Sequence, residues 1–247
     1  MYPVLFEVFG LPISSFGAMM AIGFLVATWL TGLRLREFNL NPELSSTMLL
    51  YCMIGGVVGS KLYFAVDVGI RSGQDFSSLF FARDGITWYG GLLGAIAIGA
   101  LGCKIHGISI RIFTSCVAVG AAVGQAFGRI GCFLVGDDYG IPTSLPWGIA
   151  FPLGAPPTEI PVHPTQLYEC FWLFFVAAVL WKRRKQSPFL FGEYLIANGV
   201  GRFAIESIRT NTPIALGLTQ AQWIGLTISL FGMLSWFYYR KTRTSSD

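Results

Sequence analysis

Residues 120–140 read GAAVGQAFGRIGCFLVGDDYG, and the rest of the chain is organised around them. Gly120, Gly124 and Gly128 recur at every fourth position, so on a helix they form one smooth ridge against which a second helix packs closely. Arg129 and Gly131 follow, and the acidic pair Asp137 and Asp138 then sits in a turn bounded by Gly136 and Gly140. An arginine in an otherwise apolar helix costs about 2.5 kcal/mol or more near the centre of a bilayer. Such a residue either binds something anionic or pairs with a structural carboxylate. The first is the default reading of an intramembrane charge.

The composition sets the class. Of 247 residues, 53% are hydrophobic and only 12% charged, with a mean hydropathy of +0.61. That is too little charge for a soluble domain and reads as a polytopic membrane protein. No basic run precedes the first apolar segment, so a removable signal peptide is not expected. Cys52, Cys103, Cys116, Cys132 and Cys170 lie in or beside apolar stretches without paired spacing. They read as small buried hydrophobes, neither a disulfide framework nor a zinc site. With His106 and His163 the only histidines, a histidine metal centre is not expected, and neither a cofactor nor a nucleic-acid partner is expected.

Seven apolar segments are long enough to span a bilayer, near residues 16–33, 48–66, 86–103, 112–135, 165–181, 189–208 and 219–238. If the spans alternate, Arg34, Arg36, Lys104, Arg111, Lys182, Arg183, Arg184, Lys185, Arg240, Lys241 and Arg243 all fall on one side. The opposite loops hold Arg71, Arg83 and, at a helix end, Arg209. The positive-inside rule makes the first side cytoplasmic, with the N-terminus outside and the C-terminus in the cytoplasm. The expected fold is all-α and polytopic, a single integral-membrane domain over residues 1–247. Residues 136–163, rich in proline, form a small extracytoplasmic cap with a brief strand at 147–151. Residues 3–12 suggest a short strand or interfacial element, and residues 75–82 a short amphipathic helix.

Depth follows from about 1.5 Å of rise per helical residue. Arg129 lies about 27 Å above Arg111, and Arg202 about 21 Å above Pro188. Lys61 lies about 21 Å above Thr47. Arg202, Glu206 and Arg209 share one helix face by their spacing. The embedded cations therefore gather at one outer-leaflet level, beside Asp137, Asp138 and Glu169. Two guanidiniums at that depth suit the phosphate of an anionic phospholipid, held by charge-assisted hydrogen bonds. Glu206 is expected to pair with Arg202 and orient it. Lys61 either joins the site or snorkels to the headgroups.

At these residues the chain resembles the prolipoprotein diacylglyceryl transferase family. The resemblance is most specific in Gly128-Arg129-Ile130-Gly131 with Phe133 and residues 136–140, in His163-Pro164-Thr165-Gln166-Leu167-Tyr168-Glu169, and in Gly201-Arg202 with Glu206 and Arg209. Asp84-Gly85, Tyr89-Gly90-Gly91-Leu92 with Gly94, and Gln222 also match. A lone Gly-Arg pair says little; these blocks in this order are specific. The resemblance implies an enzyme of the bacterial inner membrane that moves the diacylglyceryl group of phosphatidylglycerol onto the lipobox cysteine thiol of a secreted preprotein. A thioether forms and glycerol phosphate leaves.

By that resemblance Arg129 and Arg202 bind the phosphate and stabilise the leaving group, Glu206 supports Arg202, and Asp137 and Tyr89 complete the catalytic set. Lys61, Cys132, Gly140, Arg209, Gly90, Gly91 and Phe16 are the expected substrate-binding positions. Three positions depart from the family pattern: Tyr89 replaces a histidine, Cys132 an asparagine and Phe16 a tyrosine. A phenol with an ordinary pKa of about 10 is a poor base at neutral pH, though it still donates a hydrogen bond. The departures leave two further readings: a divergent paralogue using the same lipid donor on another acceptor, and a non-catalytic phospholipid-binding or translocating protein. The glycine ridge at 120–128 is expected to pack against the segment carrying Gly90, Gly91 and Gly94. The sequence carries no reading of oligomeric state.

Overall fold

The computed structural model describes residues 2–8, 11–82, 85–187 and 189–244. Arg83, Asp84 and Pro188, used above as loop, motif and depth markers, lie outside the described residues, as does the side chain of Arg243. The chain begins with a hairpin of β1 (Val4–Val8) and β2 (Leu11–Ser14) and continues into α1 (Ser15–Glu37). It runs on through α2 (Leu44–Ser72), the short α3 (Phe76–Phe80), α4 (Trp88–Ile105) and α5 (Ile110–Val135). After β3 (Ile149–Phe151) and β4 (Thr158–Val162) come α6 (Thr165–Arg183) and α7 (Leu190–Glu206). The strands β5 (Pro213–Ala215) and β6 (Leu218–Thr219) lead into α8 (Gln220–Thr244).

Among the described residues the strands pair as antiparallel two-stranded ribbons. Helices α1, α2, α4 and α5 are long and apolar enough to cross a membrane. Large apolar side chains such as Leu25, Trp29, Ile54, Leu93, Phe171, Phe175 and Phe231 stand exposed along the helices, the arrangement lipid requires and water penalises.

The chain forms two compact units, residues 1–31 with 114–247, and residues 32–113. In the second unit α2 and α4 meet through glycines. A Cβ on Gly59 would come 2.8 Å from the Gly94 Cα, and one on Gly55 would come 2.9 Å from the Gly94 carbonyl carbon. Backbones approach this closely only where neither side carries a side chain. The Ser60 hydroxyl donates to the Thr87 carbonyl (2.8 Å) and the Thr87 hydroxyl to the Ser60 carbonyl (3.1 Å), fixing the register of the pair.

In the first unit the 120–128 ridge packs on α1. A Cβ on Gly120 would lie 2.6 Å from the Ala27 carbonyl oxygen, and one on Gly23 would lie 3.0 Å from that of Gly124. This corrects the expectation that the ridge meets Gly90, Gly91 and Gly94, which face α2 instead. A small-residue ridge specifies a close approach but not a partner. Gly23 and Ala27 supply the matching surface on α1, as Gly55 and Gly59 do on α2. Helices α7 and α8 meet in the same way through Gly199 and Gly225 and through Gly192 and Gly232. Ala118, Ala122, Val176, Ala177, Leu180 and Leu190 bury a common core among α5, α6 and α7.

Replacing Gly120 with leucine therefore forces α1 off α5, at an overpacking cost of roughly 1–3 kcal/mol. Gly128→Ala, whose nearest neighbour would be the Met20 Sδ at 3.7 Å, leaves the packing intact. Thermal unfolding in detergent micelles separates the two variants; equal midpoints would remove this packing assignment.

Candidate active site

Helix α5 ends at Val135, six residues beyond Arg129, and the chain reverses there. The Gly136 and Asp137 amides both donate back to the Cys132 carbonyl, at 2.8 and 3.2 Å. Gly136 (φ 82°) and Asp138 (φ 63°) take left-handed backbone, which glycine adopts freely and aspartate tolerates through its short polar side chain. The turn is held from both sides. The Thr165 hydroxyl donates to the Asp138 carbonyl at 2.7 Å and the Gln166 amide donates to the Asp137 carbonyl. The Gly140 amide donates to the His163 carbonyl (2.9 Å) and the Ile141 amide to the Ile208 carbonyl (2.9 Å). A Cβ at Gly140 would lie 2.5 Å from the Ile208 carbonyl oxygen, so only glycine passes between these strands of chain. The start of α6 and the end of α7 are thus both stitched to the turn that follows α5.

That stitching closes a ring of alternating charge. Arg129 bonds Asp138 through Nη1 at 2.8 Å, and Asp138 takes the Arg209 Nη2 at 2.5 Å. Arg209 Nε lies 3.4 Å from Glu206, and Glu206 lies 3.0 Å from the Arg202 Nη2. Arg202 Nη1 reaches Glu169 at 3.1 Å, and Glu169 returns to the Arg129 Nε at 3.0 Å. Three guanidiniums and three carboxylates, drawn from α5, α6, α7 and the flanking turns, neutralise one another. Within the ring the arginines differ. Arg129 and Arg202 keep 23% and 21% of their side chains exposed, whereas Arg209 keeps 6% and Glu206 none. Arg129 Nη2 and Arg202 Nε carry no bond to a described residue, so each exposed guanidinium retains unused donors.

A shell of neutral groups holds the buried carboxylate. Glu206 Oε1 accepts from the Asn211 amide (2.6 Å) and the Thr219 hydroxyl (3.0 Å). Thr219 and Gln222 form a reciprocal cap on α8. The Thr219 amide donates to Gln222 Oε1 (2.9 Å) and the Gln222 amide to Thr219 Oγ1 (3.2 Å). Outside the helices the two adjacent acids behave oppositely. Burial opposes ionisation of Asp138, but the Arg209 and Arg129 guanidiniums outweigh it and hold its pKa below the ordinary carboxylate value. Burial, assisted by the charge of Asp138, raises that of Asp137.

The sequence-predicted residues separate accordingly. Arg129, Arg202, Glu206 and Arg209 stand in the ring, and Gly140 lines its backbone. Cys132 is buried with its Sγ 3.8 Å from the Arg129 Nη1. Phe16 lies on the Gly131 backbone, its ring 3.0 Å from where a Cβ would be. The donor atoms of Cys132, Asp137 and Asp138 lie within 4.8 Å of one another, a spacing a metal ion would accept, but the Asp138 carboxylate is already committed to two guanidiniums.

Lys61, Tyr89, Gly90 and Gly91 belong to the second unit. There Lys61 donates to the Ala82 carbonyl (2.5 Å), Tyr89 meets Trp88 edge-on and Gly91 lies under Ser60. Sequence reasoning gave Asp137 a role, left Asp138 and Glu169 as neighbours of the site, and passed over Asn211 and Thr219. Thr219 was findable, since Thr-x-x-Gln before an apolar run is a capping-box spacing.

A chain of apolar helices that gathers three arginines onto shared carboxylates defines a membrane protein with a charged site at its helix ends. The model of the prolipoprotein diacylglyceryl transferase family matches residues 3–238, and the chain belongs to that family. It is 36% identical over 240 residues to the phosphatidylglycerol–prolipoprotein diacylglyceryl transferase of Clostridium tetani, covering 94% of this chain and 96% of that one. The enzyme of the same name from Clostridioides difficile is 29% identical over 242 residues, covering 96% and 95%. The second such transferase of Clostridium perfringens is 31% identical over 240 residues, covering 94% and 93%.

The opposite shifts of the two acids make a direct test. Asp138 adds stability that is present above the ordinary carboxylate range and lost as pH falls through its lowered pKa. Asp137 has the reverse sign, because its raised pKa favours the folded state as pH drops. Asp138→Asn therefore lowers the thermal midpoint at neutral pH and matches wild type in strong acid, whereas Asp137→Asn is neutral or stabilising at neutral pH. Melting curves across the acid range check both.

Proposed function

We propose that this chain transfers the diacylglyceryl group of phosphatidylglycerol to the lipobox cysteine thiol of a secreted prolipoprotein, at the outer face of a bacterial cytoplasmic membrane. The observation that carries the reading is the meeting of Arg129 and Arg202, from separate helices, on the single carboxylate of Glu169, with donors of both left without a partner among the described residues. The lipid phosphate takes those donors. The thiol sulfur attacks the glyceryl carbon bearing the phosphate, a C–S bond forms, and the C–O bond breaks with its electron pair leaving on glycerol phosphate. The two guanidiniums stabilise the charge that grows on that leaving oxygen.

Glu206 and Arg209 hold the exposed arginines in place and make no substrate contact. Asp137 suits the role of proton acceptor from the thiol, since its raised pKa lies nearer that of a thiol than an ordinary carboxylate does. In this reading α6, α7 and α8 cross the bilayer as α1, α2, α4 and α5 do, giving seven spans over residues 1–247. The N-terminus lies outside, and residues 136–163 cap the extracytoplasmic side. The basic residues at the ends of α1, α4, α6 and α8 support that orientation.

Purified protein with labelled phosphatidylglycerol and a lipobox peptide is the deciding assay. Label passes to the peptide with wild type, and Arg129→Ala or Arg202→Ala each lowers the rate by about 100-fold or more. Absence of labelled peptide from the wild-type protein, with lipid binding indifferent to both substitutions, overturns the reading.

A further inference from the structure

Gln125 is a polar side chain standing exposed in the middle of the apolar helix α5, four residues before Arg129. Spacing by four puts the two on the same helix face, about 6 Å apart along the axis. Its amide is held from behind. The buried Tyr194 hydroxyl donates to Gln125 Oε1 at 2.9 Å, and Tyr194 sits on α7 two turns before Arg202. A hydroxyl buried among Ala118, Ala122 and Leu190 has to place its hydrogen on an acceptor, and Gln125 Oε1 is the one it reaches. With the oxygen so occupied, both N–H groups of the amide face away from Tyr194, and among the described residues neither has an acceptor. Hydrocarbon tails offer none either, so a donor pair at this depth is costly unless the bound lipid completes it.

We propose that Gln125 is the subsite for the ester carbonyl nearest the phosphate of the bound phospholipid, with Tyr194 as the positioning residue that aims its amide. The inference rests on the donor assignment above. In a glycerophospholipid about five bonds separate the phosphorus from that carbonyl carbon, and five extended bonds span about 6 Å at ordinary bond lengths. The match fixes the direction as well as the distance. With the end of α5 outward, the phosphate lies at Arg129 and the ester one turn deeper at Gln125, the order in which a lipid presents them. Two donors on the lipid, one charged and one neutral, then define the position of the glyceryl carbon between them.

The test compares diester phosphatidylglycerol with its dialkyl-ether analogue, which keeps the phosphate and lacks both carbonyls. Wild type takes the diester with a KM about five- to tenfold lower, the contribution of one hydrogen bond. Gln125→Leu raises the diester KM by that factor and leaves the diether KM unchanged. Tyr194→Phe narrows the preference in the same direction and serves where the leucine variant does not fold. A diester preference that survives in Gln125→Leu, or in Tyr194→Phe where that variant is the one used, overturns the proposal, as does an equal loss on both lipids. Direct binding of the two lipids, measured without acceptor peptide, reads the same preference. The subsite thus remains testable if no transfer occurs, and failure of the transferase reading is told apart from failure of this one.

Discussion

The closed alternation of three guanidiniums and three carboxylates is the constraint around which this chain is built. Breaking a buried ion pair by removing one partner costs about 3–5 kcal/mol, because the survivor is left as an uncompensated charge. In a ring each charge has two opposite neighbours, so the members depend on one another, and the helix ends that carry them are fixed together. The neutral shell serves the same end. Glu206, whose side chain is wholly buried, has Oε1 committed to Asn211 and Thr219 while its other oxygen faces two arginines. Thr219 is in turn held by Gln222 at the start of α8. The last helix thereby reports to the ring through two hydrogen bonds without contributing a charge.

Backbone geometry places these charges as much as side-chain chemistry does. The left-handed Asp138 carries its carboxylate back over the end of α5, where Arg129 and Arg209 reach it together. Local strain of this kind persists only where surroundings over-determine it. Here they do: the carbonyls of Asp137 and Asp138 accept from Gln166 and Thr165, and Gly140 lets the chain pass between His163 and Ile208. The glycine-lined faces between α1 and α5, and between α7 and α8, bring those backbones close together, while the charged side chains meet at the ends of α5, α6 and α7. Small residues in the body of the helices and large charged ones at their ends are two halves of one arrangement.

The four helices long and apolar enough to cross a membrane, α1, α2, α4 and α5, were legible because hydropathy over some twenty residues is a sum, insensitive to any one neighbour. A short strand near the start of the chain and the short helix at residues 76–80 were legible from local pattern, whereas the pairing of β1 with β2 was not. Helix partners were not. Gly120 and Gly124 announce a close approach, but only tertiary structure reveals that Ala27 and Gly23 are opposite them. The choice between Asp137 and Asp138 was hidden for a different reason, since adjacent residues in a turn point in different directions and one φ angle decides which acid meets the arginines. Arg129, Arg202 and Glu206 were legible because lipid makes an embedded charge conspicuous. Asn211 was not, because a polar residue in a polar loop carries no such signal.

A charge-neutral ring also answers how arginines persist in a membrane without being locked away from substrate. Full compensation by carboxylates on every face would make the site inert, and bare guanidiniums would be too costly. The ring divides these demands: Arg209 is closed in between Asp138 and Glu206, while Arg129 and Arg202 keep one edge open. An anion arriving at that edge meets donors whose desolvation and orientation were settled when the protein folded. It has no need to displace a carboxylate, because Arg129 Nη2 and Arg202 Nε have no partner among the described residues. In the proposed transfer, preorganised donors aimed at a developing negative charge cost no rearrangement during the reaction, which makes their contribution to catalysis large. In the proposed function, the carboxylates that first look like competitors for the phosphate are therefore what keeps the two arginines ready for it.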